Sequence, residues 1–335
     1  MSHANISVFV PHNGCPHQCS FCNQRGITGI SKQPSKEDVV SAIEISLKNS
    51  VKKIDSRELA FFGGSFTAIN RDYMIELLEA AKPYVDCGQL QGIRLSTRPD
   101  AIDEEILALL KFYGVTSIEL GAQSMVDEVL RLNNRGHSSR DVENASRLIK
   151  KYGFELGLQM MVGLYGSDYK KDLYTGQKFI ELKPDTVRIY PTVIMKNTEL
   201  ENLYKSGKYT PMQFDETVEL CSKLLDEFEK SHIKVIRLGL HSSESLKEDI
   251  VAGVWHPAFR EICESRRFFC RFVHESEKLF KDVKKLAVRI NPKDISKFVG
   301  QKRCNLKEIG KLGYDIKLIA DDEVDKDNIK LEELF

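Results

Sequence analysis

Short strand-like runs alternate with longer amphipathic stretches through most of the 335 residues, and this alternation constrains the fold more than any other feature. The longer stretches carry apolar residues at three- and four-residue spacing, as surface helices do. Strands are predicted at 6–10, 58–62, 93–96, 117–120, 156–162 and 186–190, and helices at 36–47, 71–85, 102–113, 139–152, 169–182 and 213–231. Alternation of this kind is typical of a parallel sheet wrapped by helices. We therefore predict an α/β fold, namely an incomplete (β/α)6 TIM-type barrel.

The chain is long enough for one such barrel and a small appendage. Residues 234–240 can add a last strand at the barrel edge, and the polar residues after them predict a loop. We expect a core barrel at 1–240, a helical extension packed on it at 241–283, and a small basic βααβ unit at 284–335. Within that last unit, strands are predicted at 286–290 and 315–320 and helices at 293–299 and 305–311, and the acidic tail from Asp321 is expected to fray.

Composition indicates the partners, the compartment and the state of the cysteines that we expect for this chain. Lysine plus arginine equal aspartate plus glutamate, so the whole-chain charge does not favour nucleic acid or a membrane as partner. Neither a signal peptide nor an apolar run of about 18 residues is present, which predicts a cytoplasmic protein without a membrane partner. Of the eight cysteines, three lie within eight positions. Because cytosolic thiols are kept reduced, metal or cluster ligation is favoured over disulfides.

Cys15, Cys19 and Cys22 directly follow the first predicted strand, at the carboxyl end where α/β barrels carry their chemistry. Three thiolates can bind three irons of a cubic iron–sulfur cluster and leave the fourth without a protein ligand. Two other readings stay open on these residues alone. One is a zinc site with His17 as a fourth ligand, and the other is an electron-transfer cluster completed by a distant cysteine.

The Cys-x3-Cys-x2-Cys spacing after a first strand resembles the signature of the radical S-adenosylmethionine (SAM) superfamily. The resemblance implies a 4Fe-4S cluster, SAM bound at the open iron, and reductive cleavage of SAM to a 5'-deoxyadenosyl radical. It also implies an electron donor such as flavodoxin or ferredoxin. After the second strand, Gly63, Gly64 and Ser65 resemble the superfamily's glycine motif, which contacts the amino group of SAM, and paired glycines permit that close approach.

Four further segments, 96–100, 119–124, 134–137 and 189–192, resemble the radical SAM domain of the Elongator catalytic subunit, which modifies the wobble uridine of tRNA. The resemblance runs from about residue 5 to about residue 240 and implies an RNA substrate, namely tRNA. The chain ends too soon for that family's acetyltransferase domain, so no acetyl-CoA is expected. Because the first predicted strand starts almost at Met1, the family's N-terminal extension, which contributes to tRNA binding in that family, is not expected either.

Several residues in these segments are candidates for binding SAM. Gln123 and Ser124, at a strand end, can bond its ribose or methionine moiety, and Arg135 and Arg98 can pair with its carboxylate through a bidentate fork. The remaining candidates are Ser96, Met161 against the adenine, and Tyr190 as a catalytic residue near the substrate. Each has an ordinary alternative, because arginines can be solvated and methionine or tyrosine can belong to the core or the surface.

Near the end of the chain, residues 298–303 resemble the Gly-x-x-Gly loop of a KH domain, which clamps a nucleic-acid backbone. Gly300, Lys302 and Arg303 are the candidate RNA-binding residues, with Arg303 in place of the second glycine. The surrounding segment is the most basic part of the chain, which suits phosphate binding. A solvated lysine-rich pair of helices is the alternative.

These inferences lead to one hypothesis with two rivals. The leading one is a radical SAM enzyme that modifies RNA, with tRNA as the expected substrate. A radical SAM enzyme acting on a small molecule or a peptide is the first rival, and a non-catalytic iron–sulfur or zinc-binding module is the second. Fold likeness does not separate the first two, since one barrel hosts many reactions.

Overall fold

The computed structural model describes residues 3–11, 18–23, 33–48, 56–240, 244–280 and 283–334. The chain divides into two compact units, one of residues Met1–Met212 and Phe228–Val254 and the other of Gln213–Glu227 and Trp255–Phe335. Among the described helices, none is long and apolar enough to span a bilayer.

A seven-stranded parallel sheet organises the first unit. Its strands are β1 His3–Val10, β2 Ser56–Gly63, β3 Gly92–Thr97, β4 Val115–Gln123, β5 Glu155–Val162, β6 Thr186–Pro191 and β8 Lys234–Leu238. They pair in the order β1-β2-β3-β4-β5-β6-β8, each parallel to its neighbours. Sequential order in a parallel sheet is the arrangement of a barrel that has not closed. The predicted α/β fold and incomplete barrel are therefore confirmed, including the edge strand.

Helices connect these strands. They are α1 Lys36–Lys48, α2 Arg71–Asp86, α3 Glu104–Phe112, α4 Asp127–Leu132, α5 Ser139–Lys151, α6 Tyr169–Leu182, α7 Glu199–Lys205 and α8 Phe214–Lys230. Their starts follow from local chemistry. Ser138 and Asp141 form a reciprocal capping box that begins α5, and the side chains of Asp103 and Asp168 accept bonds from the first turns of α3 and α6.

The sheet has one apolar and one polar face, because side chains alternate along each strand. Leu95, Leu120 and Leu158 lie on the apolar face and are fully buried. On the other face, Arg94 bonds to carboxylates from three strands, and Arg188 bonds to one of these. Two short strands, β7 Val193–Met195 and β9 Ile250–Gly253, pair antiparallel beside the short helix α9 Glu244–Asp249. The predicted helical stretch after residue 240 thus contains a strand.

A three-stranded sheet and helix α10 Phe259–Leu279 form most of the second unit. The order is β11-β10-β12, from β10 Lys285–Ile290, β11 Asp315–Ala320 and β12 Ile329–Glu333, with β11 parallel and β12 antiparallel to β10. Two short helices, α11 Ile295–Val299 and α12 Cys304–Lys311, join β10 to β11. Its core packs Phe268, Phe272 and Phe298 against the strands. The expectation of a frayed tail was wrong, because Leu331 pairs with β10 and packs on this core.

Candidate functional site

The cysteine segment follows β1, as predicted, and its second half is described. Cys19 and Cys22 lie on one turn, closed by a bond of 3.1 Å from the Cys22 N–H to the Cys19 carbonyl. The Cys19 side chain is buried and that of Cys22 is half-buried. Cys15 lies outside the described residues. The turn therefore presents two of the three predicted cluster ligands together.

Ser20 and Phe21 hold this turn against the rest of the unit. The Ser20 hydroxyl donates to the side-chain oxygen of Asn133 at 2.7 Å, and the Ser20 N–H donates to the Asn133 carbonyl. The Leu200 N–H, at the start of α7, donates to the Ser20 carbonyl, and Phe21 packs on the cluster that contains Leu200 and Tyr209. The cysteine turn is therefore positioned by the protein itself.

Arg135 meets the buried thiol of Cys19 across the site. Its Nη1 lies 3.0 Å from the Cys19 Sγ, and its Nη2 donates to the Gly121 carbonyl near the end of β4. The Nε of Arg135 is buried and has no hydrogen-bond partner in the described part of the chain. The predicted SAM-carboxylate residue thus contacts a predicted cluster ligand and keeps one donor for a further group.

Arg98 and Ser65 are bound within the protein. The Arg98 guanidinium makes two bonds to Asp100, at 2.6 and 2.8 Å, and donates to the Arg135 carbonyl at 2.8 Å. The Ser65 hydroxyl accepts the Arg98 N–H and bonds to Thr97. These contacts tie the ends of β2 and β3 to the Arg135 segment. Their predicted contacts with SAM stay predictions.

Gln123 ends β4, Ser124 follows it, and the side chain of His137 bonds to the carbonyl of Ala122 in the same strand. Gln123 has a positive φ of 66°, uncommon outside glycine, and its buried Oε1 has no partner among the described residues. Ser124 bonds to Thr175 and to the Val126 N–H, so it shapes the turn. Burial, followed by the Arg135 charge, lowers the pKa of His137 to about 4. Neutral His137 donates through Nε2 to a carbonyl, which leaves its buried Nδ1 as an acceptor without a described partner.

Gly63 and Gly64 bring the end of β2 against β1. A Cβ at Gly63 would lie 2.5 Å from the Val10 carbonyl oxygen, and its φ of +119° is one that side chains rarely adopt. The Gly64 N–H donates to the same carbonyl at 2.9 Å. Only glycine fits at 63, so the backbone edge next to the cysteine segment carries no side chain there.

Three more predicted residues lie on neighbouring strands. Met161 of β5 is paired in register with Tyr190 of β6, and both are half-buried. Ser96 of β3 has a buried hydroxyl without a described partner. The structure therefore places Met161 and Tyr190 side by side at the carboxyl ends of their strands.

A buried ion network on the polar face of the sheet was not predicted. Arg94 contacts Glu58, Glu119 and Glu155 at 3.0–3.4 Å, and Arg188 contacts Glu119 at 2.8 Å. The signal was present in the sequence as charged residues inside predicted strands. Asn133 and Ser20 carried no such signal, because their roles depend on contacts between segments more than 100 residues apart.

The second unit contains the predicted RNA-binding residues. Gly300, Lys302 and Arg303 all have positive φ angles, of 74°, 51° and 62°. Lys302 and Arg303 are exposed, and neither has an ion pair among the residues described. Lys297, by contrast, pairs with Asp294, Glu264 and Asp327 and is not free to bind a phosphate.

The described residues fit an iron–sulfur cluster with a small charged ligand beside it. In the described ranges no three His, Cys, Asp or Glu side chains form a metal site, and Cys15 lies outside those ranges. The thiols of Cys19 and Cys22 suit iron–sulfur ligation. Arg135, which contacts Cys19, has a buried Nε without a described partner, and so does the Oε1 of Gln123 at the end of β4, as expected where a ligand binds.

Comparison with known families identifies the class. Residues 9–173 match the Radical SAM superfamily, and residues 184–267 match the Radical SAM C-terminal domain. The chain belongs to the radical SAM superfamily, whose enzymes use a 4Fe-4S cluster and SAM.

Named relatives confirm the predicted resemblance to the Elongator catalytic subunit. A tRNA uridine(34) acetyltransferase of Dehalococcoides mccartyi is 27% identical over 306 residues, which are 80% of this chain and 65% of the relative. Elongator complex protein 3 of Homo sapiens is 32% identical over 200 residues, or 53% of this chain and 36% of the relative. An uncharacterized protein of Methanocaldococcus jannaschii is 29% identical over 258 residues, which are 72% of this chain and 77% of the relative. The chain thus spans 65% of the length of the acetyltransferase and 36% of the length of the Elongator protein.

A solved structure supports the fold. The archaeal Elp3 of Methanocaldococcus infernus, with an N-terminal deletion, superposes with a TM-score of 0.64 at 23% identity, covering 83% of this chain and 63% of that chain. At this identity the likeness shows the fold alone.

Proposed function

We propose that this chain cleaves SAM reductively at a 4Fe-4S cluster held by Cys15, Cys19 and Cys22, and that it uses the radical to modify tRNA. The observation that carries the proposal is the buried Cys19 thiol on a turn that the protein positions, facing Arg135 at the strand ends. When bound, the reduced cluster supplies the electron that splits SAM into methionine and a 5'-deoxyadenosyl radical.

The residues around the turn bind and orient SAM in this proposal. Gln123 Oε1 accepts a hydrogen bond from a hydroxyl or amino group, and the Arg135 Nε donates one. Leaving such buried groups unpaired costs about 1–3 kcal/mol each, so a ligand that pairs them gains specificity. The backbone of Gly63 and Gly64 admits the ligand closely, and the Ser96 hydroxyl adds a polar contact.

Met161 and Tyr190 are proposed to face the adenine and the substrate. Their paired position on β5 and β6 gives an apolar surface beside a hydroxyl. An apolar wall excludes water from a reactive radical, which prevents side reactions. Arg98, Ser65 and Ser124 act on SAM through the segments that they hold in place.

The tRNA substrate is inferred from the name of one relative, a tRNA uridine(34) acetyltransferase, and from the second unit. Lys302 and Arg303 are exposed cations, and Gly300 shapes their loop, so they are proposed to contact phosphates. The electron is proposed to come from a small redox protein such as flavodoxin or ferredoxin.

Anaerobic reconstitution with iron and sulfide, reduction, and measurement of 5'-deoxyadenosine with and without bulk tRNA test the proposal. Formation stimulated by tRNA is the expected result. Formation indifferent to tRNA would keep radical chemistry and point to a small-molecule or peptide substrate. No formation from a fully loaded cluster would favour a non-catalytic module.

A further inference from the structure

Arg135 and Cys19 make an unusual contact for two residues 116 positions apart in the sequence. The two residues are 8% and 7% exposed, and the Nη1 of Arg135 lies 3.0 Å from the Cys19 Sγ. An N–H group of a guanidinium at this distance donates a charge-assisted hydrogen bond to sulfur. The contact links the end of the β4 segment to the cysteine turn.

The position of this guanidinium is fixed by its surroundings. The Gly121 carbonyl accepts from Nη2, and a Cβ at Gly121 would lie 3.5 Å from that nitrogen, in ordinary contact. The Arg98 side chain donates a hydrogen bond to the Arg135 carbonyl. Asn133, two residues before Arg135, accepts a hydrogen bond from Ser20 in the cysteine turn. Asn133 is fully buried, and hydrogen bonds connect the cysteine turn to the segment that carries Arg135.

The charge of Arg135 is not neutralised by a carboxylate in the described part of the chain. The nearby Asp100 is engaged by Arg98 in a two-bond pair. A buried cation without a counter-ion is costly, unless a negative group joins it when the site is filled. A thiolate that ligates an iron–sulfur cluster is such a group.

We propose that Arg135 donates a hydrogen bond to the cluster-ligating sulfur of Cys19 and thereby raises the reduction potential of the cluster. The inference rests on the proposed function. A cation beside a ligating sulfur stabilises the extra electron of the reduced cluster, and hydrogen bonds to sulfur tune potential in this direction. The effect exists before SAM binds, which separates it from a contact with the SAM carboxylate.

The test is a redox titration of the loaded cluster, followed by electron paramagnetic resonance, in the absence of SAM. Arg135→Gln removes the charge, and Arg135→Lys keeps it with a shorter reach. At a fixed ambient potential near the wild-type midpoint, Arg135→Gln is expected to lower the ratio of reduced to oxidised cluster at least tenfold, which for one electron is about 59 mV. The ratio for Arg135→Lys is expected to lie between those of the wild type and Arg135→Gln.

Arg131→Met is the matched control, since it removes an exposed positive charge from the same segment, and its potential is expected to equal that of the wild type. A wild-type potential in Arg135→Gln, with weakened SAM binding, would overturn the inference alone and assign Arg135 to the SAM carboxylate. Failure of both Arg135 variants to load a cluster, while Arg131→Met loads normally, would also overturn it and make Arg135 an assembly residue. A wild type that binds no cluster would overturn the proposed function together with the inference.

Discussion

Arg94 and Arg135 are both buried in the first unit, but they bond to different partners. Replacing each arginine is therefore expected to affect a different property of the protein. Arg94 joins carboxylates from three other strands, whereas Arg135 bonds to a thiol and a carbonyl. The first arrangement neutralises charge inside the sheet, and the second leaves a charge for a ligand. The Arg94 network is therefore expected to support stability and the Arg135 site to support chemistry.

Replacing Arg94 with methionine is expected to destabilise the protein by about 3–5 kcal/mol, because Glu58 and Glu119 would each lose a buried ion-pair partner, although Glu119 keeps Arg188. The exposed pair Arg71–Glu105 is the control, and Arg71→Met is expected to cost about 0–1 kcal/mol. Urea unfolding of both variants measures the difference. Equal, small losses would show that the buried network does not support the fold.

Asp172 predicts a pH dependence of stability. Burial raises the pKa of its carboxyl to about 7 from an ordinary value of 3.8. The folded state therefore holds a proton that the unfolded chain releases, so the free energy of unfolding falls as pH rises from about 4 through about 7. Over that pH range the free energy of unfolding is expected to fall by roughly 4 kcal/mol.

Asp172→Asn is expected to lose this part of the pH dependence, as measured by urea unfolding at several pH values. In the wild type, His137 produces a pH dependence of stability with the opposite sign. Its pKa, lowered to about 4, makes stability fall as pH drops from about 6.5 toward 4. An unchanged slope between pH 5 and pH 7 in Asp172→Asn would contradict the assignment to Asp172.

Site residues were predictable where they belong to a local motif and not where they act through distant contacts. The positions of Cys19, Gln123 and Arg135 relative to strand ends follow from the sequence, and the structure brings Cys19 and Arg135 together. The bond from Ser20 to Asn133 and the orphaned nitrogen of His137 depend on packing between segments. Such contacts are set by tertiary structure.

At the scale of elements, the long periodic segments were predicted well and the short strands were not. The predicted helix at 213–231 corresponds to α8 Phe214–Lys230, and each of the predicted core strands is present. β7, β9 and β12 have three to five residues and form only because a partner strand satisfies their backbone groups. Local periodicity cannot indicate such pairing.

Gly157 in β5 is expected to be intolerant of a side chain. A Cβ there would lie 2.7 Å from the Cγ of Glu119, whose carboxylate is fixed by Arg94 and Arg188. Gly157→Ala is therefore expected to cost about 1–3 kcal/mol through overpacking.

Gly310 in α12 is the control, because its Cβ would meet nothing within 4 Å. Gly310→Ala is expected to stabilise by about 0.5–1 kcal/mol. Thermal unfolding of both variants tests the pair, and a Gly157→Ala protein as stable as the wild type would show that Glu119 can move.

At the scale of the whole molecule, the proposed cofactor site and the proposed RNA-binding loop belong to different compact units. The inference that the second unit binds RNA predicts a salt effect. Lys302→Gln combined with Arg303→Gln is expected to weaken tRNA binding and to reduce the slope of log affinity against log salt by about 1.4–1.8.

The double variant Lys223→Gln with Lys278→Gln removes the same charge from exposed positions of the same unit and serves as the control. Gel shifts across a salt series compare the two. Equal slopes in both double variants would mean that the loop at 300–303 does not contact phosphates.

The most direct test of the account is the iron and acid-labile sulfide content of the anaerobically reconstituted protein, compared between the wild type, Cys19→Ala and Cys87→Ala. Cys87 is an exposed cysteine away from the turn. The account predicts about four irons and four sulfides per chain in the wild type and in Cys87→Ala, and loss of the cluster in Cys19→Ala. Zinc without sulfide in the wild type, or an intact cluster in Cys19→Ala, would contradict it.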